Sequence, residues 1–123
     1  MLLFVYNANI SRLSGLLDSL HKTFSPSTYP CKLCSLTYGL ISIKNGWRDY
    51  LGELTYEKKF LHKNEFILQY PALAHTALPA VFFGRHELSL LIAAEEFNAI
   101  NTLDELINLM DIKLNAIAVR GDL

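Results

Sequence analysis

Two apolar runs between residues 78 and 92 constrain the fold more than any other feature of the sequence. Leu78-Pro79-Ala80-Val81-Phe82-Phe83 precedes the polar break Gly84-Arg85-His86-Glu87, and Leu88-Ser89-Leu90-Leu91-Ile92 follows it. Two short apolar runs around a glycine-containing loop predict an antiparallel β-hairpin. Pro79 lies at the start of the first run, which is a position where a strand tolerates the missing N–H of proline.

The rest of the chain alternates between strand and helix patterns. A continuous apolar run at Leu2–Tyr6 predicts a strand buried on both faces, and Tyr56–His62 predicts a second strand. Apolar residues recur at helical spacing in four segments, namely 10–24, 45–54, 64–70 and 102–114. We expect Asn45 to cap the second of these helices and Thr102 with Glu105 to form a capping box for the last. The segment 36–43 fits a strand and a short helix equally well.

Length, charge and hydropathy limit the classes of function. A chain of 123 residues that is 51% apolar can bury one core, and we expect a single domain spanning residues 1–123. A net charge of −1 provides no basic field, so nucleic acids and anionic membrane surfaces are not expected partners. No apolar run approaches the roughly 18 residues of a membrane helix, and the apolar N-terminus lacks the basic segment of a signal peptide. We therefore expect a cytoplasmic protein.

The cysteines provide the strongest chemical signal in the sequence. Cys31 and Cys34 are the only two cysteines, and two residues separate them. This spacing lets both sulfurs face one point, where they can close a small disulfide or hold one metal ion. Lys32 is placed to lower the pKa of a neighbouring thiolate. A permanent structural disulfide is not expected in a reducing cytosol, so the pair is a redox site, part of a metal site, or two small buried apolar side chains.

The metal alternative requires ligands besides the two thiolates. His21 lies at the end of the predicted first helix, and His62 or His86 can come from another element. Zinc is the metal that cysteine and histidine ligands suit best. A second Cys-x-x-Cys is absent from the sequence, so only half of a common zinc motif is present. In this alternative the pair is structural, and the domain is a non-enzymatic zinc-binding or interaction module.

The predicted order of elements, β-α-β followed by β-β-α with Pro79 immediately before the first hairpin strand, resembles the thioredoxin fold. The resemblance implies an α/β domain with a central mixed sheet of about four strands flanked by helices. It also implies that Pro79 is the cis-proline that faces the redox site and shapes the docking groove. On this basis we expect Cys31 to attack a disulfide as a thiolate and Cys34 to resolve the mixed disulfide. The partner is then a protein or small thiol that the sequence does not identify.

The position of the cysteine pair departs from the thioredoxin pattern. In thioredoxins the pair directly follows the first strand, at the start of a helix whose dipole stabilises the thiolate. Here Asn7-Ala8-Asn9-Ile10 occupies that position, and the pair follows Pro30 instead. The resemblance therefore supports the fold more than the mechanism. The opening Phe4-Val5-Tyr6-Asn7 and the Cys-x-x-Cys also resemble a group of small bacterial proteins, a resemblance that implies no function.

Overall fold

A four-stranded mixed sheet with the strand order β2-β1-β3-β4 forms the centre of the fold. The computed structural model describes residues 1–9, 31–39 and 43–120, except for the side chains of residues 119 and 120. The strands are β1 (Leu2–Val5), β2 (Lys58–Leu61), β3 (Ala80–Phe83) and β4 (Ser89–Ile92). This arrangement confirms the predicted α/β class with a thioredoxin-like mixed sheet.

The central strand β1 sets the register of the sheet. It runs parallel to β2, with Val5 opposite Leu61, and antiparallel to β3, with Val5 opposite Ala80. Strands β3 and β4 pair antiparallel, which confirms the predicted hairpin. All four residues of β1 are fully buried, as a continuous apolar run in the middle of a sheet requires.

Five helices accompany the sheet in the described part of the chain. They are α1 (Lys32–Thr37), α2 (Asn45–Glu53), α3 (Lys63–Gln69), α4 (Ala94–Asn98) and α5 (Leu103–Arg120), and a 3₁₀ turn at Pro71–Leu73 follows α3. In the segment 36–43 that the sequence left open, α1 ends at Thr37, and Tyr38 forms an isolated antiparallel bridge with Ile43. Among these helices, none has both the length and the apolar character needed to cross a membrane.

The helix termini confirm one predicted cap and correct another. The backbone N–H of Glu105 donates to Oγ1 of Thr102 at 3.1 Å, so Thr102 caps α5 as predicted. The Glu105 carboxylate accepts from the Thr102 hydroxyl at 3.1 Å and from the Asn101 backbone N–H at 3.4 Å. The prediction that Asn45 caps α2 is wrong, because Lys44 holds the N-cap position and Asn45 is the first helical residue. Oδ1 of Asn45 instead accepts a hydrogen bond from Arg48 at 2.9 Å. The predicted helix at 10–24 lies outside the described residues.

Alternate residues of β1 contribute to two separate apolar layers, because successive side chains of a strand point to opposite faces. Leu2 and Phe4 belong to the larger layer, which also contains both cysteines, Trp47 of α2 and apolar residues of α5. The smaller layer contains Leu3 and Val5 together with residues of α3 and β3. The cysteine pair therefore lies on the face of the sheet that α1, α2 and α5 cover.

Candidate functional site

The cysteine pair lies at the C-terminal end of β1. Cys31 is the N-cap residue of α1, and Cys34 lies in the first turn of that helix. The backbone N–H of Asn7, two residues beyond the end of β1, donates to Sγ of Cys31 at 3.1 Å. Although 24 positions separate Asn7 from Cys31, the pair is thus next to the first strand in space and at the start of a helix. The long separation in sequence therefore does not keep the pair away from the first strand.

The surroundings of the pair give its two sulfurs opposite protonation preferences. The side chains come within 3.4 Å of each other without forming a disulfide. A hydrogen bond from the Cys34 side chain has the largest effect on Cys31 and, against the opposing effect of burial, lowers the pKa of Cys31 to about 7. The backbone N–H groups of Cys34, Asn7 and Leu33 lower this pKa further. The same side-chain contact, reinforced by burial, raises the pKa of Cys34.

These contacts change the explanation that the sequence offered for an acidic thiol. The sequence suggested the ammonium group of Lys32 as the stabilising group. The structure instead supplies hydrogen-bond donors directly to Sγ of Cys31, which is the stronger way to favour a thiolate in a buried position. Near neutral pH Cys34 therefore keeps its proton, whereas Cys31 is divided about equally between thiol and thiolate.

Both sulfurs are enclosed. Cys31 is 2% exposed and Cys34 is 0% exposed. A disulfide from another molecule reaches Cys31 only if the groups around Sγ move apart. The pKa values of the two thiols suit thiol chemistry, but burial keeps a second molecule away from both sulfurs.

Pro79 lies at the same end of the sheet as the cysteine pair. It is buried, and the bond between Leu78 and Pro79 is cis. The β1–β3 register places Ala80 opposite Val5, so the next position of that register brings Pro79 beside Tyr6. Tyr6 directly precedes Asn7, the donor to Cys31. The three residues proposed from the sequence as catalytic, Cys31, Cys34 and Pro79, therefore lie near one end of β1.

A recess with aromatic walls includes Tyr6, the chain neighbour of Asn7, and was not anticipated from the sequence. It has a volume of about 300 Å³ and is lined by Tyr6, Tyr38, Ile43, Leu51, Phe60 and His62. The ring of Tyr6 lies 5.5 Å from that of His62 and 6.3 Å from that of Tyr38, between ring centroids. Burial, then the neighbouring Tyr38 hydroxyl and the two cysteines, raise the pKa of Tyr6. The phenol of Tyr6 is thus electrostatically coupled to the cysteine pair.

The structure places His62, a predicted metal ligand, in a contact with a carboxylate. Its Nδ1 lies 2.7 Å from Oε1 of Glu65, and its backbone N–H donates to the same oxygen at 2.9 Å. Across residues 1–9, 31–39 and 43–120, no group of three or more histidine, cysteine and acidic side chains is arranged to hold a metal ion. His21 lies outside the described residues, so a zinc site that uses His21 stays a prediction.

Comparison with known proteins adds no family assignment. No family model matches the sequence, and no curated protein or solved structure matches the chain. The function therefore has to be inferred from the cysteine pair and its surroundings.

Proposed function

We propose that this chain carries out thiol–disulfide exchange through Cys31 and Cys34. The observation that carries the proposal is the unequal pair itself. Cys31 accepts a hydrogen bond from the Asn7 backbone and one from Cys34, and its pKa is lowered to about 7. Cys34 keeps its proton, and its side chain lies within 3.4 Å of the Cys31 side chain. A nucleophilic thiolate beside a protonated resolving thiol is the arrangement that two-step exchange requires.

Each step of the exchange conserves atoms and electrons. The Cys31 thiolate attacks one sulfur of the substrate disulfide, which forms a mixed disulfide and releases the other substrate sulfur as a thiolate. Cys34 then loses its proton and attacks Sγ of Cys31, which forms the Cys31–Cys34 disulfide and releases the second substrate thiolate. The substrate gains two electrons and the cysteine pair loses two. An external dithiol returns the pair to its reduced form.

Serine substitutions separate the two steps. Cys31→Ser should abolish reduction of a small disulfide, because the nucleophile is lost. Cys34→Ser should still react once and then retain the mixed disulfide, because no resolving thiol remains. Stopped-flow thiol release and mass spectrometry of the intact protein distinguish these outcomes. If Cys31→Ser reduces the disulfide at the wild-type rate, the proposal is wrong.

Burial of both cysteines favours a second candidate function, in which the pair is structural and the domain is an interaction module. Side chains that are 2% and 0% exposed are typical of packing residues. Metal analysis of freshly purified protein, combined with a thiol count, separates the two candidates. One zinc per chain and loss of folding on chelation would support the module, because a structural metal contributes its binding energy to folding. Two metal-free thiols that oxidise reversibly would support exchange.

A further inference from the structure

We propose that β4 is a self-association edge, at which two copies of this chain pair antiparallel and join their four-stranded sheets into one sheet of eight strands. The partner is a second copy of the chain, and a two-fold axis at Leu90 relates the two copies. Self-association goes beyond the proposed exchange and does not depend on it, because β4 carries none of the residues assigned to the exchange.

Strand β4 forms one edge of the sheet, and β2 forms the other. Within the described ranges no strand pairs with the outer side of β4, so its outward N–H and C=O groups are a template for another strand. Proteins commonly protect such an edge with charged side chains, especially lysine, or with proline. Strand β2 has this protection in Lys58 and Lys59, whereas Ser89–Ile92 contains neither a charge nor a proline. The edge that is open to pairing is therefore β4.

An exposed leucine marks the centre of this edge. Leu90 is 49% exposed, although it lies opposite the buried Phe82 in the β3–β4 register. The register shifts at this point, and both Leu91 and Ile92 pack into the larger apolar layer. Leu90 is left on the face that Phe82 shares. With a two-fold axis at Leu90, the two Leu90 side chains lie directly opposite each other and shield each other from water.

Charges beyond the two ends of β4 favour the same pairing. Arg85 precedes Leu90 by five positions and Glu95 follows it by five, and both side chains are exposed. Among the described residues neither of them forms an ion pair. A two-fold axis at Leu90 brings Arg85 of each copy to the end of the interface where Glu95 of the second copy lies. Opposite charges therefore meet twice in each dimer, which favours this register over others.

The surface beside β4 has space for the side chains of an added strand. A recess of about 410 Å³ is lined by Ser89 and Leu90 of the strand and by the apolar Phe83 and Ile117, among others. In the joined sheet the two β1 strands are five strand spacings apart, which is roughly 24 Å. The two cysteine pairs thus lie in separate halves of the dimer.

Sedimentation equilibrium of the reduced full chain measures this association. Wild type should show a monomer–dimer equilibrium. Leu90→Lys places two ammonium groups opposite each other and should raise the dissociation constant by at least about tenfold, because like charges directly opposite on paired strands repel. Ile112→Lys, at a side chain of α5 that is 57% exposed, is the matched control and should dimerise as wild type does. Circular dichroism checks that both variants are folded.

Charge reversal tests the register without changing Leu90. Arg85→Glu brings two carboxylates together at each end of the interface, and Glu95→Arg brings two guanidinium groups together. Each variant alone should raise the dissociation constant by about tenfold, since the change acts at two exposed pairs in every dimer. An equimolar mixture of the two variants should associate as tightly as wild type, because the mixed dimer again pairs opposite charges at both ends.

Three results would overturn the proposal. A wild-type chain that stays monomeric at about 1 mM has no significant affinity for itself, which would leave the edge to a strand of another protein. A dimer that persists unchanged in Leu90→Lys would place the interface elsewhere on the surface. A mixture of Arg85→Glu and Glu95→Arg that associates no better than either variant would contradict the antiparallel register at Leu90. Reduction of a disulfide by Cys31 and Cys34 is measured separately, so the exchange function stands or fails independently of these results.

Discussion

The backbone N–H of Asn7 and Sγ of Cys31 lie 3.1 Å apart, and this contact joins the end of β1 to the start of α1. Because the donor belongs to the backbone, side-chain substitution at Asn7 does not remove it. Cys34 donates its own S–H to the same sulfur. The two donors together favour the thiolate on Cys31 rather than on Cys34. Which of the two sulfurs ionises more readily is thus determined by the fold as well as by the two-residue spacing.

Removing the Cys34 thiol should raise the pKa of Cys31, because the Cys34 side chain makes the largest contribution to lowering it. Cys34→Ala should therefore react with iodoacetamide about fivefold more slowly than wild type at pH 7, since less of Cys31 is ionised. Cys34→Ser keeps a hydroxyl donor and should shift the alkylation profile less. A pH profile of alkylation measures both variants. Identical midpoints in wild type and Cys34→Ala would show that Cys34 does not hold the thiolate.

The Cys31 thiolate should make the free energy of unfolding depend on pH. The pKa of Cys31 falls from its ordinary value of 9.0 to about 7 in the folded chain. A lowered pKa contributes stability that is fully present above the unfolded value and is lost as pH falls through the folded value. Relative to Cys31→Ser, we expect wild type to gain about 2 kcal/mol between pH 7 and pH 9.

Urea denaturation of the reduced protein at the two pH values measures this difference. Cys34 acts in the opposite sense, because its raised pKa removes stability as pH rises beyond its ordinary value of 9.0. The gain should therefore level off or reverse at more alkaline pH. Parallel pH dependences for wild type and Cys31→Ser between pH 7 and pH 9 would show that the folded chain does not favour the thiolate.

Local patterns were sufficient for the elements whose signal lies within a few residues. The first strand, the hairpin and the helix cap at Thr102 all follow from apolar periodicity or from one side chain and its near neighbours. Helix α4 was missed because five residues are too few for a helical period to show. Its Glu96 accepts the Ala93 N–H at 3.0 Å and pairs with Lys113 at 2.7 Å, and the second contact joins positions too far apart for a local pattern to show.

The site was harder to predict because it depends on contacts between distant positions. The sequence identified Cys31, Cys34 and Pro79 as residue types suited to exchange. It could not show that Cys31 lies at the end of β1 in the folded chain, because no local pattern indicates which distant segments come into contact. The recess around Tyr6 and His62 has the same origin, because its walls come from separate strands, helices and connections.

The hydrogen bond between Tyr50 and Asp111 should stabilise the packing of α2 against α5. The hydroxyl of Tyr50 donates to Oδ1 of Asp111 at 2.7 Å, and burial together with this carboxylate raises the pKa of Tyr50. Tyr50→Phe should lower the free energy of unfolding by about 1–2 kcal/mol, as expected for a hydrogen bond to a charged group. Tyr56→Phe, in the half-buried ring packed against the same layer, is the matched control. Equal stability of the two variants in urea denaturation would assign no net contribution to the bond.

Alanine substitutions at two glycines should change stability in opposite directions. Gly52 lies inside α2, and a Cβ added there meets no atom within 4 Å. Gly52→Ala should therefore raise the free energy of unfolding by about 0.5–1 kcal/mol, because alanine loses less backbone entropy in a helix.

Gly84, between β3 and β4, has a φ of +158°, and a Cβ there would lie 1.9 Å from the carbonyl oxygen of Glu87. Gly84→Ala should lower stability by more than Gly52→Ala raises it, since backbone atoms must move. Thermal denaturation of both variants measures the two effects, and a stable Gly84→Ala would mean that the hairpin turn has room for a side chain.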